Sequence, residues 1–434
     1  MKALIISHNP ITTQNNMGKT FLTLFSCFER EELCQLYIYP TLPNVDRCAS
    51  FYRVTDKEVL RSLLRWKRPG GEIDPSRICQ SEGLYENAED ESFYRSKKNK
   101  SPVRRMLRDA MWRMSGWYSP ALRTWLDEQQ PDCIFVAPGV AKFLYDIALK
   151  IAKKRDIPVI TYICDEYYFV KPPEALLDRL RLKSLQRRVE SLMARSAHLV
   201  VICDELKQAY AGKFGIETTT LMTGASRPAA QKPQRIEAPK DICYFGNIRC
   251  NRYLSLGDVG RELDAINAEL GTGHRLKIYT SEKDAEILAS FDGIDAIELC
   301  GFVTGAAFEK AMGEAELLLH VEAFDEDSID YVQHSVSTKI ADSLASGKPL
   351  LAYGPACVSS MKHLSRNGCA MMAESKETLR PMLLRAFSDG AARNAAVEKA
   401  LQVAKDCHDS NAASMKLKQI MADVIESGRE EKRA

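Results

Sequence analysis

What the chain lacks narrows its class before anything it contains is considered. No stretch of its 434 residues holds the ~20 consecutive apolar residues that a membrane-crossing helix requires. The first apolar run, Ala3–Ile6, is closed by Ser7 and His8 and is too short for the core of a secretion signal. Thirteen cysteines are present, yet no two are spaced as CxxC, which excludes a zinc ribbon. Cys133, Cys164, Cys203 and Cys243 sit in or beside apolar runs, where a thiol behaves as a small hydrophobe. That placement and the odd count are expected of a reduced cytoplasmic protein without structural disulfides. No period of 20–50 residues recurs, so the chain is not a solenoid. An excess of one charge sign is missing too: the formal net charge of +2 by itself argues neither for nor against nucleic acid, and no nucleic-acid partner is expected.

One absence is local. Residues 6–25 read ISHNPITTQNNMGKTFLTLF, and Gly18-Lys19-Thr20 suggests a phosphate-binding P-loop. Such a loop needs a glycine five positions before its GK, where the backbone turns so that successive N–H groups ring a phosphate. Thr13 stands there, and no other glycine is at hand. Thr13 therefore disfavours a P-loop nucleoside triphosphatase. What remains is a strand, a polar loop and a helix opening near Gly18, a common start for an α/β domain with a site at the strand's carboxyl end.

What is present is alternation. Lys2–Ser7, Cys133–Val136, Val159–Ile163 and Leu199–Ile202 read as short buried strands, with a helix over Ala141–Lys154 closed by Asp156-Ile157-Pro158. Residues 43–117 read as an irregular basic insertion containing PGGEIDP at 69–75. SRPAAQKPQRIEAPKD at 226–241 holds three prolines and no apolar period, the texture of a linker. Alternation then restarts with Ile242–Phe245, Arg275–Tyr279, Ile297–Leu299, Leu317–Val321 and Leu350–Ala352. The pattern predicts an α/β protein of two Rossmann-like domains, 1–228 and 241–408, with a linker over 229–240. A last helix in 409–434 places Leu417, Ile420, Met421 and Val424 on one stripe, suited to docking on the first domain.

Between Arg95 and Arg113 stand eight Lys/Arg and one Asp, a local +7. Val103, Met106, Leu107, Ala110, Met111, Met114 and Trp117 recur at helical spacing, and Arg104, Arg105, Arg108 and Arg113 lie off that face. Two readings stand. The helix lies on an anionic membrane surface, or it covers the sheet with its stripe and leaves a solvated basic back.

The most informative stretch is HSVSTKIADSLASGKPLLAYGP, His334–Pro355. It reads as a loop, a short helix capped by Ser335 or Ser337, a stop at Gly347 and a buried strand after Pro349. A helix start presents N–H groups and a positive dipole end to an anion. Lys339 in the first turn opposes that dipole unless a phosphate arrives, and Asp342, one turn on, suits sugar hydroxyls.

With those residues on the page, the sequence resembles GT-B glycosyltransferases, close to the family 4-like group. YFGNIRCNR, LKIYT, ELCGFVTGAAFEKAMGEAELLLHV and SVSTKIADSLASGKPLLAYGP follow that family's order and spacing in the second half. IPVITYICDEYY, RSAHLVVICDELKQAYAGKFGI and TTLMTGAS look like its landmarks in the first. The resemblance implies two Rossmann-like domains facing each other across a cleft, with the C-terminal helix returning to the first. It implies a metal-independent transferase with no cofactor, taking a nucleotide-diphospho-sugar as substrate. The second glutamate of the family's E-x7-E pattern, which bonds the ribose, falls on Asp342; the first, which touches the donor sugar, falls on His334, a departure. Ser335, Ser337, Thr338 and Lys339 resemble the phosphate-binding helix entry. Arg249 and Arg252, after the Gly246 turn, lie where basic residues meet the diphosphate, and Phe302 and Val303 where backbone reads the base. The loop with Gly18 resembles the acceptor-side loop facing the donor phosphates.

Asp165 and Glu166 follow the Val159–Ile163 strand at its carboxyl end. Asp165 is the candidate to activate the acceptor hydroxyl or steady a positive sugar carbon; its competing role is a cap on the next element. Arg249, Lys339 and Asp165 are thus the expected catalytic set. Asp325-Glu326-Asp327 matches a metal-binding DxD only superficially and reads as a solvated acidic loop. His8 reads as a turn residue, and His198 and His320 as satisfied strand histidines. The expected activity is sugar transfer to a glycan or lipid-linked hydroxyl in surface polysaccharide assembly, at the cytoplasmic face of a membrane. A nucleotide-sugar epimerase and a silent binding module on the same fold are the alternatives.

Overall fold

Fourteen short strands in the described residues fall into two sheets, each belonging to its own unit of the chain. The computed structural model describes residues 1–13, 16–65, 68–78 and 102–433. One unit comprises Met1–Leu221 with Ser410–Ala434, the other Met222–Asp409.

The first unit holds β1 (Ala3–Ser7), β2 (Leu33–Tyr37), β3 (Ser50–Arg53), β4 (Gly71–Glu72), β5 (Cys133–Ala137), β6 (Val159–Ile163), β7 (Ser196–Val201) and β8 (Thr218–Thr220). Their order is β4-β3-β2-β1-β5-β6-β7-β8, parallel except for β4. β1, β5 and β6 (ALIIS, CIFVA and VITYI) are buried at every position, so they read as unbroken apolar runs rather than alternating ones. The segment expected to be an irregular insertion instead supplies β3, the helix Asp56–Arg65 and β4, which extend the sheet beyond β2. Its apolar residues are few, but Phe51 and Tyr52 of β3 and Val59 of the helix are fully covered.

The basic helix runs over Pro102–Met114 and ends before Trp117; residues 95–101 lie outside the described residues. Its orientation corrects the expectation that the apolar stripe covers the sheet. Val103, Met106, Leu107 and Met114 are exposed, while Trp112 is fully buried. Arg108 turns inward with it. Asp56, itself buried, accepts from the Trp112 indole at 2.7 Å and from Arg108 Nε at 2.9 Å. A buried carboxylate needs such partners, and they override the simple stripe.

The C-terminal helix, Ser410–Arg433, packs in the first unit. Leu417, Ile420, Met421 and Ile425 are buried, each contributing at most about 1.5–3 kcal/mol. Ser414 Oγ accepts from the Cys27 amide at 2.9 Å, and Arg429 pairs with Asp132 at 2.7 Å.

The second unit holds β9 (Asp241–Phe245), β10 (Arg275–Tyr279), β11 (Ile297–Gly301), β12 (Leu317–Val321), β13 (Leu350–Tyr353) and β14 (Met371–Ala373). All pair in parallel, in the order β11-β10-β9-β12-β13-β14. This is the doubly wound dinucleotide-binding order, whose switch point lies between β9 and β12. The proline-rich stretch expected as a linker is tied into this unit. Arg393, fully buried, donates from Nη2 to the carbonyls of Ile236 and Glu237 at 2.8 Å each. The Ala230 and Gln234 amides bond the carbonyls of Ala345 and Gly347.

Candidate functional site

At the switch point of the second sheet, β9 ends in Phe245 and its chain turns through Gly246 into the loop before the helix Arg252–Leu270. A Cβ on Gly246 would stand 2.7 Å from Lys339 Cε and 2.9 Å from its Nζ. Only glycine lets the lysine lie across the strand end. Lys339 belongs to the first turn of the helix Thr338–Ala345. Ser337 occupies the N-cap position, yet its hydroxyl makes no cap bond. Its amide instead donates to Ser360 Oγ at 3.2 Å, and that hydroxyl donates to the Ser335 carbonyl. The helix start is thus positioned by a neighbouring serine without a side-chain cap over it, a geometry that favours an anion.

The two arginines have protein partners, which the sequence did not reveal. Arg252, half-buried, donates from Nε to Glu322 Oε2 at 2.9 Å and stands 2.8 Å from it through Nη2. Glu322 follows β12 and is almost fully buried, so this pair bridges the ends of the two switch-point strands. Its carboxyl is held below the usual range although burial opposes that; His320 and Arg252 outweigh it, and His320 Nε2 is 3.4 Å away. Arg252 is therefore a fixed positive charge at the base of the site and not a loose phosphate ligand. Arg249 makes a bidentate pair with Glu282, at 2.7 and 3.1 Å, which holds that carboxyl down at about 2. Its side chain is 65% exposed, so it is the arginine able to swing. Cys250 and Asn251, both at φ 55, place two non-glycine residues in the left-handed region between these arginines. Such backbone costs on the order of 1–3 kcal/mol per residue and clusters at ligand clamps.

Asp342, expected at the ribose, is engaged within the protein. Its carboxylate accepts from the Ser226 amide at 2.7 Å and from the Ser226 hydroxyl at 3.3 Å, tying the entry of the second unit to the Thr338–Ala345 helix. His334 and Ser335 lie in the turn just before this helix. Phe302 is 68% exposed after Gly301 (φ +72), with Val303 half-buried beside it. Next to them Phe245 stacks on Tyr279 with centroids 4.6 Å apart, an aromatic pair that strand-end positions alone did not flag. Asp325 is no ligand-like loop residue: it caps the helix Glu326–Val332, accepting from the Ser328 amide at 3.0 Å.

Two expected residues lie in the first unit. Gly18 is buried inside the helix Asn16–Leu24, where a Cβ would meet the Thr12 carbonyl oxygen at 2.3 Å. The helix opens near Gly18 as the sequence suggests, and the glycine serves close packing of helix on loop. Asp165 stands at the carboxyl end of β6. Loss of hydration raises its carboxyl above the ordinary range, opposed by bonds from the Tyr167 hydroxyl at 3.1 Å and from Cys164. Glu166 accepts from the Phe169 amide and the Tyr210 hydroxyl and is structural.

No protein-family model and no curated protein matches the sequence. Solved structures do resemble it along the whole chain. HepE from Anabaena in complex with UDP aligns at a TM-score of 0.60 and 9% identity, over 98% of this chain and 100% of that one. Sucrose-phosphate synthase from Thermosynechococcus elongatus gives the same score, identity and coverage. The α,α-trehalose 6-phosphate synthase of Burkholderia multivorans aligns at 0.60 and 12% identity, over 100% of this chain and 99% of that one. Two parallel sheets, the doubly wound second unit and the returning C-terminal helix, matched along entire chains, give this protein the GT-B fold.

Proposed function

We propose that the chain is a glycosyltransferase that moves a sugar from a nucleotide-diphospho-sugar to a hydroxyl acceptor. The observation that carries this reading is Lys339 laid across Gly246 at the β9/β12 switch point, beside a helix start without a side-chain cap. Solved structures of HepE with UDP and with UDP-glucose lend support, since the fold is shared.

In this reading the bond between the sugar's anomeric carbon and the diphosphate oxygen breaks as the acceptor oxygen bonds that carbon. Lys339 and the Thr338–Ala345 helix start meet the charge that develops on the departing diphosphate. Arg249 joins them by leaving Glu282, while Arg252 stays paired and supplies a fixed field. Side-chain cations thus do what a metal does on other folds. Asp165, whose raised pKa makes it a better base than an ordinary carboxylate, takes the acceptor's proton. Ser335, Ser337 and His334 face the donor's phosphate and sugar, and Phe302 and Val303 its base. Asp342 reaches the ribose only by releasing Ser226. The acceptor is a glycan or lipid-linked hydroxyl, and the place of work is a membrane's cytoplasmic face.

The test is nucleoside diphosphate release from a panel of nucleotide sugars with glycan and lipid-linked acceptors. Release should require both substrates, and Lys339→Ala should lower kcat by about a hundredfold or more. Isomerised donor formed without any acceptor would replace the reading with an epimerase. Nucleotide binding without release from any pair would replace it with a silent binding module.

A further inference from the structure

The helix Pro102–Met114 is amphipathic in the opposite sense from a helix that covers a sheet. Val103, Met106, Leu107 and Met114 fall on one stripe and point to solvent, with Leu107 at 64% and Met114 at 74% exposure. Three of its polar members turn inward and are consumed there. Arg108 and Trp112 hold the buried Asp56, and Asp109, the helix's single acid, pairs with Lys142 at 2.8 Å. Arg104 and Arg113 remain exposed beside the stripe.

Two neighbouring helices extend this face. Pro102–Met114 packs against both Asp56–Arg65 and Leu176–Met193. The first exposes Leu60, Leu63 and Leu64, and the second exposes Leu176, Leu177 and Leu180. Arg61, Arg179 and Lys183 are exposed on the same two helices. Leu60, Leu63 and Leu64 at i, i+3 and i+4, Leu176, Leu177 and Leu180 at i, i+1 and i+4, and the Val103–Met114 stripe between them put exposed apolar side chains on three packed helices, of the kind that marks an interaction site. The patch carries cations around it, against Glu174 and Asp178 as the nearby outward acids. No helix among the described residues is long and apolar enough to cross a membrane, so a lipid contact here lies along the interface.

We infer that the joint outer face of these three helices docks the first unit onto an anionic lipid bilayer, with leucine and methionine side chains entering the headgroup boundary and Arg104 and Arg113 meeting lipid phosphates. The charge pattern selects this occupant over a second copy of the chain, since two such cationic rims brought face to face repel. The inference stands on the first unit alone and does not depend on the transferase reading. It also replaces Arg108 as a lipid contact, because that guanidinium is engaged inside.

The experiment is flotation of the full chain with vesicles of phosphatidylcholine alone or mixed with phosphatidylglycerol. Two variants accompany it: Leu64→Ser/Leu107→Ser/Met114→Ser, and Arg104→Gln/Arg113→Gln. All five positions are exposed, so far-UV circular dichroism and Tm should match the parent. The parent should float with the mixed vesicles and not with phosphatidylcholine alone. The arginine pair should lower partitioning by about tenfold or more, and the serine triple should abolish flotation with both arginines intact. No flotation of the parent on the mixed vesicles, or undiminished flotation of the serine triple, would overturn the inference. So would a concentration-dependent dimer in sedimentation equilibrium that the serine triple dissolves, since the face would then belong to a second copy.

Discussion

Two glycines separate packing from binding at the scale of single residues. A Cβ on Gly18 meets the Thr12 backbone at 2.3 Å, and backbone does not give way cheaply. Gly18→Ala should therefore cost about 1–3 kcal/mol of stability, read as a lower urea midpoint at unchanged slope. A Cβ on Gly246 meets the far end of Lys339, a flexible chain that moves aside. Gly246 also sits at φ +158, so Gly246→Ala strains the backbone and should lower the urea midpoint as well as weaken nucleoside diphosphate binding by about tenfold, measured by calorimetry. Loss of stability with intact binding would place Gly246 with Gly18 as a packing residue. In the sequence the two looked alike, each a glycine after a strand. What differs is the neighbour, Thr12 in one case and a lysine 93 positions away in the other, and only the fold brings it there.

Elements were legible where burial is uniform and the run is apolar throughout; β2 (LCQLY), equally buried but interrupted by Gln35, was not. β1, β5, β6 and β12 announce themselves as unbroken apolar runs because helices cover both faces of a parallel sheet. β3 and β4 do not, since SFYR and a two-residue GE carry too little pattern to register. The acids that fix the site's cations were equally hidden. Glu282 and Glu322 are remote in sequence from Arg249 and Arg252, and nothing local marks them. The same holds for Asp56, which reverses the Pro102–Met114 helix by claiming Arg108 and Trp112. Asp56→Asn should leave the Arg108 charge part-buried without its counter-charge, costing about 1–3 kcal/mol in chemical denaturation. Arg104→Gln on the exposed side of that helix should stay within about 0.5 kcal/mol of the parent. Equal effects of the two would refute the inward orientation.

Across the whole molecule, buried and half-buried imidazoles set an acid limit. Burial, reinforced by the Arg108 charge, pushes His8 down to about 4, and burial likewise lowers His198 and His408. Each is neutral in the folded chain but takes up a proton near pH 6.5 when unfolded. Their contribution is complete above pH 6.5 and is lost as pH falls; for His8 the loss extends toward pH 4 and amounts to a few kcal/mol at most, roughly 3. Urea unfolding of the parent between pH 7 and pH 4.5 should show this decline, and His8→Gln should flatten it. An unchanged slope in His8→Gln would show that His8 is solvated and ordinary.

The overall architecture was readable because periodicity, linker texture and the His334–Pro355 stretch agree with one another. The acceptor was not, because side chains from separated segments shape its site. The account as a whole rests on a diphosphate held where Lys339 crosses Gly246. Titration calorimetry of UDP into the parent and into Lys339→Ala tests it most directly. Saturable binding to the parent, weakened about tenfold or more in the variant, is the predicted result. Equal affinity in both proteins, or no binding of any nucleoside diphosphate to the parent, would contradict it.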